Sequence, residues 1–442
     1  MYDLLIRNCL VLQCERDQAR VLPGRDLLID QGRILDLQPT GVLSPAGCRD
    51  VLEARGRLAM PGLINTHAHV PMVLFRGLAE DVGLEAWFNE YMWPLESNLQ
   101  PDDVYWGMLL GLVEMIEAGV TAVADHYFHM DLAARAVEQA GTRAALGWAI
   151  FGSQGRDALE RSAGFIERHQ GAANGRITTW MAPHAPYTCD DAFLSACASR
   201  AEELGVGIHI HVAETRAQTD TSLKTRGLTP IQILERTGVL DRPCILAHAC
   251  GVIEEDLAIL AEKPCGVAHA PKTYLKLAMG IAPVARLRRA GVPVGLATDG
   301  ACSSNTLDIW ESLRLTAMLQ KHETGCAETL TIPQALTIAT RDSARVLGLG
   351  DSLGHLAPGF LADLILVDLS GAHHQPLHDV PTSLVYSARA SDVETVIVAG
   401  QILMRDRELL TLSKKDILDN VRKSMERLTC RVPDRRIQVY SP

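Results

Sequence analysis

Two histidines one residue apart, His67-Ala68-His69, follow the apolar run Met60-Pro61-Gly62-Leu63-Ile64. In a strand, residues i and i+2 point to the same side, so both imidazoles can face one point. Such a pair on its own is more often two ordinary histidines than two ligands. Three further residues change the reading. His211, His248 and Asp299 each close a separate apolar, strand-like run, in a chain with only 15 histidines. Imidazole and carboxylate are donors that zinc and its neighbours accept, so three histidines, one aspartate and a water make a complete sphere. Glu214 comes three residues after His211 in His211-Val212-Ala213-Glu214, where that strand should be ending. Its carboxylate can turn in beside the attacking water, take its proton and later return it to a leaving group. The chemistry this constellation offers is metal-assisted hydrolysis.

Positioning these residues requires several strands whose ends meet. From about residue 60 to 350, strand-like and helix-like runs alternate. Val120–Ala124, Ile177–Met181, Gly207–His211, Cys244–His248, Gly266–His269 and Val292–Ala297 read as strands. Val104–Ala118, Leu132–Ala140, Ala192–Leu204 and Ala282–Ala290 read as helices between them. This alternation predicts an α/β fold, a (β/α)8 TIM-type barrel, in which the candidate residues sit at strand ends where barrel enzymes assemble their sites. A doubly wound sheet is the competing architecture, but no GxGxxG turn follows the first strand. Both ends of the chain have a different texture: short strands with Gly-marked turns, such as Leu4–Asn8, Asp26–Asp30 and Arg33–Leu37, then Asp363–Asp368 and Val393–Gly400. They predict a small β-sandwich built by the two ends together, with boundaries at 1–58, 59–352 for the catalytic barrel, and 353–442. A helix over Lys414–Leu428 carries Ile417, Val421 and Met425 on one stripe.

Bulk composition narrows the partners. A 442-residue chain with 47% apolar and 21% charged residues can bury a large core. Its formal charge of −11 argues against nucleic acid and anionic membranes as partners. The basic stretch Arg286-Leu287-Arg288-Arg289 reads as the exposed end of a helix. Asp3, Arg7 and Cys9 interrupt the first apolar run, so a signal peptide is not expected, and no apolar stretch is long enough to span a membrane. Eleven cysteines without a CxxC pair predict reduced thiols and a cytoplasmic location; Cys302, close to Asp299, is expected to pack rather than attack.

The strings around these residues resemble the amidohydrolase superfamily, and within it the branch of methylthioadenosine and S-adenosylhomocysteine deaminases, neighbours of the triazine hydrolases. The likeness covers about 58 to 410 and includes Pro61–His69, Phe75–Asp81, Trp93–Glu96, Ala182–Tyr187, Leu275–Pro283 and Asp299–Asn305. The resemblance implies that His67, His69, His211 and Asp299 are ligands to one divalent metal ion, zinc by preference. It makes Glu214 the proton shuttle and His248 a group that polarises the attacking water, with Asp299 also in the catalytic set. Dinuclear relatives carry a bridging lysine after the fourth strand, and Ile177–Tyr187 has none, hence one ion. Glu96 is similar to the acid that grips ribose hydroxyls, and His184 to a substrate-contacting histidine. Trp148 stands where relatives that accept S-adenosylhomocysteine use an arginine, with Arg156 as the candidate for a second such position. An indole face suits a methylthio group better than a carboxylate. The implied partner is therefore a small-molecule nucleoside, 5′-methylthioadenosine first, with S-adenosylhomocysteine or adenosine as alternatives. Guanine deamination, triazine hydrolysis and an inactive binding barrel stay open, as do a homo-oligomeric state and the roles of His126, His209 and His269.

Overall fold

The computed structural model describes residues 1–15, 17–430 and 435–441. Its centre is a parallel sheet of strands Leu63–His69, Val120–Tyr127, Arg143–Ile150, Ile177–Pro183, Ile208–Val212, Cys244–His248 and Cys265–His269, each paired with the next. The eighth strand comes in two pieces. Val294–Leu296 pairs with Cys265–His269, and Asp299–Gly300 pairs with Leu63–His69, so the sheet closes on itself as a barrel. Nearly every strand residue is buried, as parallel strands covered by helices require. Helices close the connections with ordinary chemistry. The Asp190 carboxylate accepts from Phe193 N–H at 2.8 Å to start Asp191–Leu204, and Gly205 in the left-handed region ends it. Helices Pro101–Glu117, Met130–Ala140 and Val284–Arg289 lie where periodicity predicts them, and Arg286, Arg288 and Arg289 fill the last turn of the last one.

The two ends of the chain do pair. They build one nine-stranded mixed sheet in the order Glu408–Leu409, Gln401–Arg405, Val393–Val398, Leu364–Asp368, Arg57–Pro61, Tyr2–Glu15, Gln18–Asp30, Arg33–Pro39. Tyr2–Glu15 is long enough to pair with Cys48–Glu53 along its first half and with Arg57–Pro61 along its second. Leu4, Ile6, Leu27, Ile29, Leu364 and Ile397 bury against one another in a core separate from the barrel's. Gly62 is the joint between sheet and barrel. Its N–H donates to Asp363 O at 3.1 Å, and a Cβ there would lie 2.2 Å from the Thr121 side chain. The Arg143 guanidinium, from the barrel, makes a buried bidentate pair with Asp363 at 2.8 and 3.0 Å. The helix Lys414–Leu428 buries Ile417, Val421 and Leu428, with Met425 half-buried beside them. No helix among the described residues is long and apolar enough to cross a membrane.

Candidate active site

At the carboxyl ends of the barrel strands, side chains from the first, fifth and eighth strands converge. His69 Nε2 lies 3.2 Å from His211 Nε2 and 3.2 Å from Asp299 Oδ1; His67 Nε2 lies 3.5 Å from the same oxygen. Ligands about 2.0–2.1 Å from a zinc ion stand about 3.3 Å apart around a tetrahedron, so these spacings fit one ion. The backbone holds the cluster under constraint. Asp299 has φ +63° and His248 φ +81°, left-handed values that cost a non-glycine residue energy and recur at functional sites.

The surrounding hydrogen bonds decide which ring nitrogens face inward. His69 Nδ1 donates to the His126 carbonyl at 2.5 Å, and His211 Nδ1 to the His184 carbonyl at 2.7 Å. A carbonyl only accepts, so each ring carries a proton on Nδ1, and Nε2 is the nitrogen turned to the common point. His67 Nδ1 meets His209 Nε2 at 2.8 Å. Asp299 Oδ2 accepts from Ser303 Oγ at 2.9 Å, leaving Oδ1 to the cluster. Burial opposes charge on His69, yet the Asp299 carboxylate outweighs it and lifts the His69 pKa to about 9. Burial also opposes charge on Asp299, but hydrogen bonds from His67 and His69 hold its pKa well below the usual range. The centre is thus a place that attracts positive charge while its other imidazoles, His67 and His211, are kept neutral by burial. Neutral imidazoles and an ionised carboxylate are what a divalent cation binds.

Glu214 sits beside this centre with 3% of its surface exposed. Burial, reinforced by the Asp299 charge and opposed by Tyr187, raises its pKa to about 7, and its Oε1 has no hydrogen-bond partner among the described residues. Its N–H donates to Gln218 Oε1 at 2.9 Å, which fixes the turn after the strand. His248 ends the sixth strand, stacks on His211 with centroids 5.4 Å apart, and leaves Nδ1 unpaired among the described residues. Burial depresses its pKa to about 3, so the ring is neutral and can hydrogen-bond a water through its unpaired nitrogen.

A cavity of about 50 Å³ opens above the cluster, bounded by His69, His211, Glu214, His248 and Asp299 on the floor and by Phe88, Trp93, Glu96 and His184 on the walls. Glu96 accepts from the Tyr127 hydroxyl at 2.7 Å, and burial raises its pKa to about 7. His184 packs 4.8 Å from Phe151, with Nδ1 3.0 Å from Thr188 Oγ1. Trp148 is not on this cavity. It lines an adjoining one of about 260 Å³ that shares Glu96, Phe128, Ala149 and Phe151 with the first. Arg156, a sequence candidate, has 88% of its side chain exposed and pairs with Glu160; Arg161 is the arginine on the adjoining cavity. Of the histidines without a role, His126 lines the inner cavity, His209 backs His67, and His269 packs on Tyr274 behind the site. Sequence reasoning missed Asp125, whose Oδ1 accepts from Val70 N–H at 2.7 Å and whose charge adds to the field on His69. It also missed the wall residue Phe88, in the short element Trp87–Met92, and Arg161, on the amphipathic helix Gly155–His169. Cys302 is fully buried against Met72 and its thiol pKa is pushed well up by burial, as a packing role requires.

A second His-His-Asp group lies near the C-terminus, but its donors are already satisfied. Asp392 Oδ2 accepts from His373 Nε2, His374 Nε2 and Arg389 N–H at 2.9, 3.1 and 2.7 Å. The barrel centre, whose nitrogens and carboxylate oxygen face one another, is the candidate cation site.

Comparison with known proteins agrees with this geometry. A protein of Moorella thermoacetica called 5-methylthioadenosine/S-adenosylhomocysteine deaminase is 43% identical over 431 residues, 97% of this chain and 100% of its own length. The 5′-deoxyadenosine deaminase of Methanosarcina mazei is 39% identical over 98% of this chain and 100% of its own. A crystal structure of an adenosine deaminase from Xanthomonas campestris with bound zinc superposes with TM-score 0.92 at 33% identity, covering 97% of this chain and 98% of that one. The model of the amidohydrolase family matches residues 58–403, and the chain belongs to that family.

Proposed function

We propose that this chain is a hydrolytic deaminase of an adenine nucleoside, 5′-methylthioadenosine foremost, releasing methylthioinosine and ammonia. The observation that carries the reading is a buried carboxyl, Glu214, with a pKa raised to about 7 and an oxygen unpaired among the described residues, beside a cluster of four potential metal donors. His67, His69, His211 and Asp299 would hold one zinc ion. When bound, such an ion lowers the pKa of water to about 7 and so supplies a nucleophile at neutral pH.

The rest is work for the chain's own side chains. Glu214, half protonated near pH 7, gives its proton to the ring nitrogen next to the amine-bearing carbon. That protonation withdraws electrons from the carbon and opens it to water. His248, a neutral ring, and Asp299, an ionised carboxylate, orient the water by accepting hydrogen bonds from it and pass its proton on toward the leaving amine. Addition gives a tetrahedral carbon; the proton taken from the water passes to the amine, the C–N bond breaks to release ammonia, and the proton left on the new hydroxyl returns to Glu214 as the ring carbonyl forms. Glu96, at the junction of the two cavities, is suited to accept hydrogen bonds from the ribose hydroxyls, and His184 to hold the nucleoside from the opposite wall. The 5′ substituent then extends toward Trp148. An indole face there favours a methylthio group. Arg161 on the same cavity supports a second reading, S-adenosylhomocysteine, because a guanidinium can pair with its carboxylate. The described residues contain no second cation on that cavity.

Offering purified protein methylthioadenosine, S-adenosylhomocysteine, adenosine, 5′-deoxyadenosine, guanine and a triazine, and measuring ammonia, tests the proposal. Methylthioadenosine should have the highest kcat/KM. Ammonia from guanine or the triazine alone would overturn the nucleoside assignment, and none from any compound would favour a binding barrel.

A further inference from the structure

The last residues of the chain return to the catalytic mouth. Ile437 N–H donates to Trp93 O at 3.3 Å, and Gln438 Nε2 to Ser153 Oγ at 3.2 Å. Tyr440 is clasped by one side chain on both sides of its peptide: its N–H donates to Asn89 Oδ1 at 2.8 Å, and Asn89 Nδ2 donates to its carbonyl at 3.1 Å. The Tyr440 ring is 8% exposed, stacks on Phe88 at 5.1 Å with 12° between planes, and meets Tyr187 edge-on at 5.3 Å. Phe88 is itself a wall of the inner cavity, and Ile437 lines the adjoining one with Trp148 and Arg161.

One contact reaches the chemistry. The Tyr440 hydroxyl accepts from Gln218 Nε2 at 3.1 Å, and Gln218 Oε1 takes the Glu214 N–H at 2.9 Å. A primary amide has one acceptor oxygen and one donor nitrogen, so fixing its nitrogen on Tyr440 fixes which atom faces Glu214. A tail that only covered apolar surface would have no reason to end on that amide.

We propose that residues 437–440 are a working wall of the substrate cleft: Tyr440 is a positioning residue for Glu214, and Ile437 sets the fit of the nucleoside's 5′ substituent. The proposal rests on the deaminase reading above. Phe88 and Glu214 belong to separate segments, 84–98 and the turn after the fifth strand, and Tyr440 is the group that touches the first and, through Gln218, holds the second. Ile437 adds an apolar surface opposite Trp148, where a methylthio group would lie and where adenosine carries only a hydroxyl.

The test is steady-state kinetics of the full chain, wild type, Tyr440→Phe and Ile437→Ala, on methylthioadenosine and adenosine. Tyr440→Phe keeps the stack and loses one hydrogen bond, so kcat should fall about threefold to tenfold on both substrates with KM within twofold. Ile437→Ala should raise KM for methylthioadenosine about fivefold to tenfold and leave adenosine within twofold, since it removes apolar contact only at the 5′ end. A tail with a purely structural role would move both substrates alike and shift the unfolding midpoint, which is measured on the same samples. Unchanged kcat in Tyr440→Phe overturns the positioning role, and equal KM shifts in Ile437→Ala overturn the fit. A wild type inert on both nucleosides overturns the deaminase reading itself, an outcome distinct from an active enzyme with indifferent variants.

Discussion

Glu214 and Glu96 are two buried carboxyls whose pKa values burial raises to about 7, yet their surroundings give them different work. Glu214 has an oxygen unpaired among the described residues beside the candidate cation centre and is the proposed proton carrier; Glu96 is tied to the Tyr127 hydroxyl, faces the cavity and is the proposed acceptor for the substrate's hydroxyls. Glu214→Gln should leave bound metal at the wild-type level and lower ammonia release at least about 100-fold, since general acid–base catalysis is worth roughly 10²–10⁴. Metal analysis with an ammonia assay checks this, and near-wild-type turnover would remove Glu214 from the mechanism. Glu96 yields a stability effect with a definite sign. Its folded pKa is raised from 4.5 to about 7, so its stabilising contribution is complete below pH 4.5 and is lost as pH rises through 7. Glu96→Gln should therefore gain on the wild type between pH 5 and 8, by an amount on the order of 3 kcal/mol. Denaturant unfolding at both pH values reads the difference, while KM for the nucleoside should rise.

At the scale of elements, what the sequence disclosed follows from periodicity. His67 and His69 share a side because strands have period two, and His211, His248 and Asp299 were visible because apolar runs end at them. Strand ends carry a signal; loops that fold back do not. Thus Trp148, Arg161 and the tail at Tyr440 come together only through long-range packing. The strand Arg143–Ile150 was hard to see because Ala144, Ala145 and Gly147 supply little of the β-branched bulk that marks strands. Likewise, the single apolar run at 57–69 hides a change of sheet at Gly62, which no composition shift announces. That joint is sterically tight: a Cβ would meet Thr121 at 2.2 Å. Gly62→Ala should cost about 1–3 kcal/mol in unfolding free energy, with the remaining folded enzyme keeping its KM. A neutral effect on the thermal midpoint would show that the joint yields easily.

The whole molecule is a barrel whose chemistry lies at one end and a sheet, made from both chain ends, joined to it through Gly62 and the Arg143–Asp363 pair. Asp363 also accepts from Ala399 N–H at 2.8 Å, so it serves both bodies at once. Arg143→Ala would strand a buried carboxylate and should lower stability by about 3–5 kcal/mol, read by denaturant unfolding. A loss below about 1 kcal/mol would mean that the sheet and barrel hold together without it. The proposed chemistry lies at the other end of the barrel, where side chains from three strands face one point. The most direct test is to remove metal stepwise with a chelator and count ions per chain against methylthioadenosine deamination in the same samples. Activity should fall in proportion to the loss of a single ion and return when one equivalent of zinc is restored. Full activity in metal-free protein would contradict the account.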